Sequence, residues 1–306
     1  MTESITRYPQ NNLGAILLPW TEDDELNVPM FEKQIDSTLD EGFKCFYILG
    51  TAGEGFALDE ELFQQVVDIY AANSVAAGKD PQVALIGLSM RHIMRRMEYC
   101  YDRGIRMFQL ALPSWGPLTD DETLIFFQTV CGAAPDCRFL HYNNPRTKRH
   151  LTAGDYVKLI EAVPNLVATK NSGGNYGFIA ELMLKAPQLQ HFLLENGYAI
   201  GCLFGECSLL CSYDQLFPKK TWEFYEAGVR RDQAAAFKYQ AFFHDVGTAL
   251  FAHCAGGKID SAYDKTLAWL ADPDFSYRLL PPYQGMSDAE ANECRRIYET
   301  CYKDVQ

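Results

Sequence analysis

No stretch of the 306-residue chain approaches the about 18 consecutive apolar residues needed to cross a bilayer, which excludes a membrane-spanning helix. Positive charge is scarce: 27 Lys and Arg stand against 40 Asp and Glu, a formal net charge of −13. Nucleic acids and anionic membranes are bound by clustered basic residues, so neither partner fits this balance. A carboxylate-bearing small molecule stays compatible, because a few backbone N–H groups can hold one on an acidic protein. The six histidines contain no His-x-x-x-His spacing and the ten cysteines no Cys-x-x-Cys pair, so no metal site is expected. Most cysteines, such as Cys45 and Cys211, lie among apolar neighbours and read as buried, reduced thiols. Residues 1–10 are polar and lack the apolar core of a secretory signal, which with the reduced thiols points to a cytoplasmic setting. Internal repeats and linker-like segments are also absent.

What the chain does contain is a regular alternation. Short apolar runs at 15–19, 43–49, 83–88, 107–112, 138–143, 166–170, 191–194 and 208–212 predict strands. Between them, segments 31–39, 60–76, 92–101, 122–131, 155–162 and 178–184 carry apolar residues at helical spacing. Thr119-x-x-Glu122 and Thr152-x-x-Asp155 have the form of capping boxes, Asp59 can cap the helix behind it, and Gly42, Gly78 and Gly104 stand at helix ends. Near-continuous apolar strands suit a parallel sheet covered on both faces. Eight of them, each followed by helical sequence, read as a (β/α)8 TIM barrel, with a doubly wound open sheet as the alternative. Beyond Gln215 the pattern is helical only, at 219–227, 233–250, 258–270 and 287–302. The expected organisation is a barrel core over 1–213 carrying the site, then the last barrel helix and a C-terminal helical extension over 214–306.

Barrel chemistry collects where strands end. The second run ends in Gly50-Thr51-Ala52-Gly53-Glu54-Gly55, whose glycines allow backbone N–H groups to face a small anion. It lacks the Gly-x-Gly-x-x-Gly spacing of a dinucleotide site, and Ala255-Gly256-Gly257-Lys258 lacks that of a P-loop. The fifth run ends in His141-Tyr142-Asn143-Asn144-Pro145 and the sixth in Lys170. Adjacent strands lie about 4.8 Å apart, so inward side chains at neighbouring tips can meet. With Tyr142 and Lys170 both facing the axis, a phenol sits beside an amine in a partly desolvated cavity, while His141 faces outward as packing. Such a pair suits imine chemistry: an ordinary lysine is only about 0.04% neutral at pH 7 and becomes nucleophilic through desolvation. The phenol can pass the protons that carbinolamine dehydration requires.

Gly50-Thr51-Ala52-Gly53-Glu54, Tyr142-Asn143-Asn144-Pro145 and Lys170-Asn171-Ser172-Gly173 together resemble, in order and separation, the signature motifs of the dihydrodipicolinate synthase / N-acetylneuraminate lyase family. Leu18-Pro19-Trp20 is similar to that family's first-strand end. The resemblance implies a class I aldolase or lyase that needs no metal or other cofactor. It makes Lys170 the Schiff-base residue for pyruvate or a related 2-oxo acid and Tyr142 the proton relay. Thr51 and the Ala52 amide become the carboxylate binders, and Gly50 and Gly53 keep that loop open. It further implies a homo-oligomer, a dimer or tetramer. Glu195-Asn196-Gly197-Tyr198 resembles the family's seventh-strand loop, which makes Asn196 and Gly197 substrate contacts, and Ser212 falls where a sugar-contacting serine stands.

Three departures shape the expected substrate. Ala52 replaces a second threonine, Leu112-Pro113-Ser114-Trp115 replaces a tyrosine pair, and Ala199 replaces an acidic residue. Arg146 and Arg149 are both near the place of the synthases' carboxylate-gripping arginine, and neither is in register. Lysine biosynthesis is therefore not expected. Trp115 resembles the Pro-x-Trp of the family's hydratase-aldolases, and the three changes predict an apolar distal pocket for a bulky substituent. A 2-keto-3-deoxy sugar acid dehydratase using the same imine is the alternative, and a non-catalytic ligand-binding barrel a further one.

Overall fold

The computed structural model describes residues 7–305, so residues 1–6 of the polar leader lie outside the described residues. Eight parallel strands close into a barrel in chain order: β1 (Asn12–Ala15), β2 (Cys45–Ile48), β3 (Asp80–Leu85), β4 (Met107–Leu110), β5 (Arg138–Asn143), β6 (Leu166–Asn171), β7 (Gln190–Leu194) and β8 (Ser208–Leu210). The helices α1 (Val28–Asp40), α2 (Glu60–Ser74), α3 (Met90–Tyr101), α4 (Asp120–Gly132), α5 (Ala153–Ala162), α6 (Tyr176–Lys185), α7 (Glu195–Phe204) and α8 (Pro218–Val229) surround it. The extension follows as α9 (Gln233–Phe251), α10 (Asp260–Ala271) and α11 (Asp288–Cys301). The chain is thus a (β/α)8 TIM barrel with a C-terminal helical extension. Among the described residues, no helix is long and apolar enough to cross a membrane.

Local chemistry explains where elements start and stop. Capping boxes form at Thr119 with Glu122 and at Thr152 with Asp155, and Asp59 accepts the Leu62 N–H at 2.9 Å. Gly42, Gly78 and Gly104 all take positive φ just past their helices, a conformation that costs a side-chain-bearing residue energy. Two strands are displaced from their expected places. The first ladder covers Asn12–Ala15 rather than 15–19: Ile16, Leu17 and Leu18 are fully buried, but they continue past the last strand pairing into the following loop. Burial alone therefore imitated a strand. The third begins at Asp80, held by the Tyr8 hydroxyl at 2.7 Å and by Arg138 at 2.6 Å, and ends before Leu88, which is exposed. Helix α7 is an addition; its Gly197 and Gly201 disguise the helical pattern.

Strand alternation divides the core into two layers. Inward residues such as Tyr47, Leu140, Ala168 and Phe192 fill the barrel, while Phe46, Phe108 and Phe139 pack outward under the helices. On β5 and β6 the same two-residue period aims Leu140 and Tyr142, Ala168 and Lys170 at the axis. His141 accordingly faces outward, its Nδ1 2.8 Å from the Tyr156 hydroxyl of α5.

Candidate active site

Tyr142 and Lys170 are direct partners in the β5–β6 register, at the C-terminal mouth of the barrel. Both line a cavity of about 280 Å3, together with Tyr47, Thr51, Ala52 and Ser212. Lys170 is only 3% exposed and makes no hydrogen bond or ion pair among the described residues. Its Nζ instead lies over two rings, 3.8 Å from the Tyr47 centroid and 4.4 Å from that of Tyr142. Burial penalises the ammonium and pulls its pKa down to about 7, although Asp264 and Asp260 favour the charge. Close to half of the amine is then neutral at pH 7, roughly 10³-fold more than for an ordinary lysine. The Tyr142 hydroxyl sits 3.2 Å from Thr51 Oγ1, and burial raises its pKa, so the phenol stays protonated and able to donate. Tyr47 was invisible as a site residue in the sequence; only the β2 register turns it inward.

The loop behind β2 is built by close packing. Leu49 and Glu54, not the glycines, take its positive φ angles. A Cβ at Gly50 would fall 2.6 Å from Tyr47 Cε2 and 3.6 Å from Lys170 Nζ, and one at Gly53 would fall 2.9 Å from the Leu49 nitrogen. These glycines clear space rather than supply unusual torsions. Gly50→Ala should therefore displace the Tyr47 ring and cost about 1–3 kcal/mol, read from denaturant unfolding. Below the loop, Glu54 is 1% exposed and accepts from Trp20 Nε1 and the Leu280 N–H, both at 2.8 Å. It also forms an ion pair with Lys265 of α10, which is wholly buried. Ser261 Oγ, beside that lysine, donates to the Thr51 carbonyl at 2.6 Å. The extension thus holds the loop behind β2 through Ser261 and Lys265. Among the described residues, the Thr51 and Ala52 N–H groups have no backbone acceptor.

Several sequence candidates lie elsewhere. Trp115 is 86% exposed, its ring outside the cavity, with only its carbonyl engaged by Lys148 Nζ at 3.0 Å. The loop after β4 turns it to solvent, which corrects its assignment as a substrate contact. Gly197 is buried, and a Cβ there would fall 3.1 Å from Ile179 Cδ1, so this glycine serves the packing of α7 on α6 rather than substrate contact. Asn196 is exposed and borders an adjoining cleft. Ala199 faces the outer core. Trp115 and Ala199 are both turned away from the cavity, and the apolar side chains beyond Ser212 are instead Phe237, Phe243, Phe251 and Leu267.

Beside these apolar side chains stands an acidic wall. Glu195, Asp214, Asp260 and Asp264 line the Lys170 cavity or the cleft of about 840 Å3 that continues it past Ser212. Asp214 accepts the Ala15 N–H at 3.0 Å, and burial pushes its carboxyl up to about 8. Withdrawal from water raises the pKa of Glu195 and Asp264 as well. Arg146 borders the cavity but is tied to Asp260 at 2.9 Å, and Arg149 pairs with Asp120 and Asp155 outside it. Two of these acids belong to α10. The spacing Asp260-x-x-x-Asp264 puts both on one helix face, a sequence signal that could have been read had the extension been considered part of the site.

The closed (β/α)8 barrel thus presents an unpartnered, desolvated lysine at a strand tip with a phenol beside it. The sequence profile of the dihydrodipicolinate synthetase family matches residues 9–299, and the chain belongs to that family. The family comprises pyruvate-dependent class I aldolases and lyases, and membership makes this chain an aldolase or lyase in that broad sense. A 4-hydroxy-tetrahydrodipicolinate synthase of Exiguobacterium sibiricum is 26% identical over 250 residues, covering 78% of this chain and 81% of its own. An N-acetylneuraminate lyase of Pongo abelii is 25% identical over 242 residues, covering 76% and 74%. Among solved structures, a prophage protein of E. coli K12 of the same family, determined with pyruvate, superposes with a TM-score of 0.85 at 15% identity, over 95% of this chain and 98% of that one.

Proposed function

We propose that the protein is a lyase or aldolase that forms an imine between Lys170 and the carbonyl carbon of pyruvate or a pyruvate-derived 2-oxo acid. The observation that carries this reading is the buried, unpartnered Lys170 amine beside the Tyr142–Thr51 hydroxyl pair. The neutral Nζ adds to C2 of the 2-oxo acid, and the resulting carbinolamine loses its oxygen as water. Tyr142 donates a proton to that leaving oxygen and recovers one through Thr51. The N–H groups of Thr51 and Ala52 and the Thr51 hydroxyl hold the substrate carboxylate. The C4 hydroxyl of a 4-hydroxy-2-oxo acid passes its proton out through the Tyr142–Thr51 pair, the electrons of the C3–C4 bond flow into the iminium, an aldehyde departs, and the enamine takes a proton at C3. Hydrolysis of the imine releases pyruvate. Condensation is the reverse of these steps.

The test is reduction of the protein with borohydride in the presence of pyruvate, followed by peptide mass spectrometry. A pyruvate-derived mass increment on the peptide containing Lys170 is expected. Binding of pyruvate with Lys170 left unmodified would sink the imine mechanism.

A further inference from the structure

The C-terminal extension gathers three soft donor atoms at one point. His253 and Cys254 follow the end of α9, and Cys294 stands on α11. His253 Nε2 lies 3.8 Å from Cys254 Sγ and 3.8 Å from Cys294 Sγ, and the two sulfurs are within 4.8 Å of each other. No other group of three His, Cys, Asp or Glu donors converges this closely among the described residues. None of the three lines the Lys170 cavity. The sequence conceals the cluster, because two donors are adjacent and the third comes from another helix. Neither a Cys-x-x-Cys nor a His-x-x-x-His spacing then arises.

The triangle has the dimensions of a coordination sphere. Zinc holds thiolate sulfur at about 2.3 Å and imidazole nitrogen at about 2.0–2.1 Å, so a tetrahedral site separates S from N by about 3.6 Å and S from S by about 3.8 Å. Both S–N edges match to a few tenths of an ångström, and the S–S edge has at most about 1 Å to close. Backbone contacts hold the donors in place. The Cys254 N–H donates to the Phe251 carbonyl at 3.1 Å, the Ala255 N–H to Glu290 Oε1 at 3.0 Å, and Cys294 Sγ to the Leu250 carbonyl at 3.1 Å. Cys294 is buried, Cys254 half-buried and His253 exposed, which gives an ion a way in from solvent and leaves a position for water. Lys258 nearby is neutralised by Glu290 at 3.4 Å. Packing accounts for a buried Cys294, but not for an imidazole nitrogen equidistant from two sulfurs.

From this geometry we infer that His253, Cys254 and Cys294 bind a thiophilic divalent cation of the zinc class, which staples α9 to α11. On binding, both thiols release their protons to solvent, and the two thiolates offset the charge of the ion. The His253 Nε2 proton, which faces the Glu290 carbonyl at 3.1 Å, gives way to a proton on Nδ1. In the chain, α10 with Ser261 and Lys265 lies between the stapled helices, so the ion closes the segment that supports the loop behind β2.

The experiment titrates the reduced, chelator-washed full chain with Co2+. Cobalt bound to thiolate gives a near-ultraviolet charge-transfer absorption, and its four-coordinate form gives intense visible bands. One equivalent per chain should develop both, and Zn2+ should abolish them by displacement. Cys254→Ala and His253→Ala, neither at a fully buried position, should each weaken Co2+ binding by about 10²-fold or more. Zn2+ should raise the melting temperature of the wild type and leave that of Cys254→Ala unchanged, a response that a purely packing role would not give. Absence of the thiolate–cobalt absorption, or a melting temperature indifferent to Zn2+, would overturn the inference. Absorption retained in both variants would also overturn it, by assigning the ion to another thiol pair such as Cys202 and Cys207, whose sulfurs are 3.6 Å apart. A Cys254–Cys294 disulfide in the air-exposed protein, with no metal taken up by the reduced chain, would show an oxidisable pair instead.

Discussion

Lys170→Ala should abolish exchange of the pyruvate methyl protons with deuterated solvent, followed by proton NMR. That exchange needs only the first half of the reaction, imine to enamine, and so requires no knowledge of a second substrate. Loss of the amine removes the electron sink altogether, so nearly all of the roughly 10⁶-fold or greater acceleration that enzymes provide should disappear. Lys170→Arg should be equally inactive, because a guanidinium keeps the charge but is never neutral and cannot add to a carbonyl. The pH dependence has a definite sign. Burial depresses the lysine pKa to about 7, so the neutral amine is scarce below that pH and abundant above it. Exchange in the wild type should rise as pH increases through about 7 and then level off. A rate that persists in either variant would remove Lys170 from the mechanism.

Tyr142→Phe should lower the same exchange by about 10²–10⁴-fold, the range for one positioned acid–base group. The phenol contributes its hydroxyl to a pair with Thr51 at 3.2 Å and its ring to the wall beside Lys170 Nζ. Phenylalanine keeps the ring and deletes the hydroxyl, so the barrel and the lysine environment stay intact while the proton path is cut. Thr51→Val should behave differently, chiefly weakening pyruvate, because it removes a hydroxyl and preserves the backbone amides. Wild-type exchange in Tyr142→Phe would show that protons travel by another route.

The barrel was legible because its strands are short, apolar and separated by capped helices. Runs 138–143 and 166–170 nearly coincide with β5 and β6, and it is their period of two that brings Tyr142 and Lys170 together. Where burial and hydrogen bonding part company, as at Leu17 and Leu18, hydrophobicity could not say which residues pair. Side-chain direction in loops was equally unreadable: nothing in Pro113-Ser114-Trp115 states that the indole turns to solvent. The acidic wall is not legible in the sequence because half of it comes from α10, beyond the last strand of the barrel. A tail read as an appendage hides residues that complete the site.

The Glu54–Lys265 pair also imposes an order in time. A ribosome makes Thr51, Tyr142 and Lys170 well before Lys265 and Leu280 emerge. A nascent chain that has finished its eighth strand therefore contains every reacting group, yet Glu54 still lacks the ammonium and the amide that fix it. Domains fold as units during synthesis, and here the unit closes only when the last helices arrive. Lys265 and Leu280 are thus the last-made of the groups that fix Glu54, and removing the residues from α10 onward should free the loop that carries Thr51.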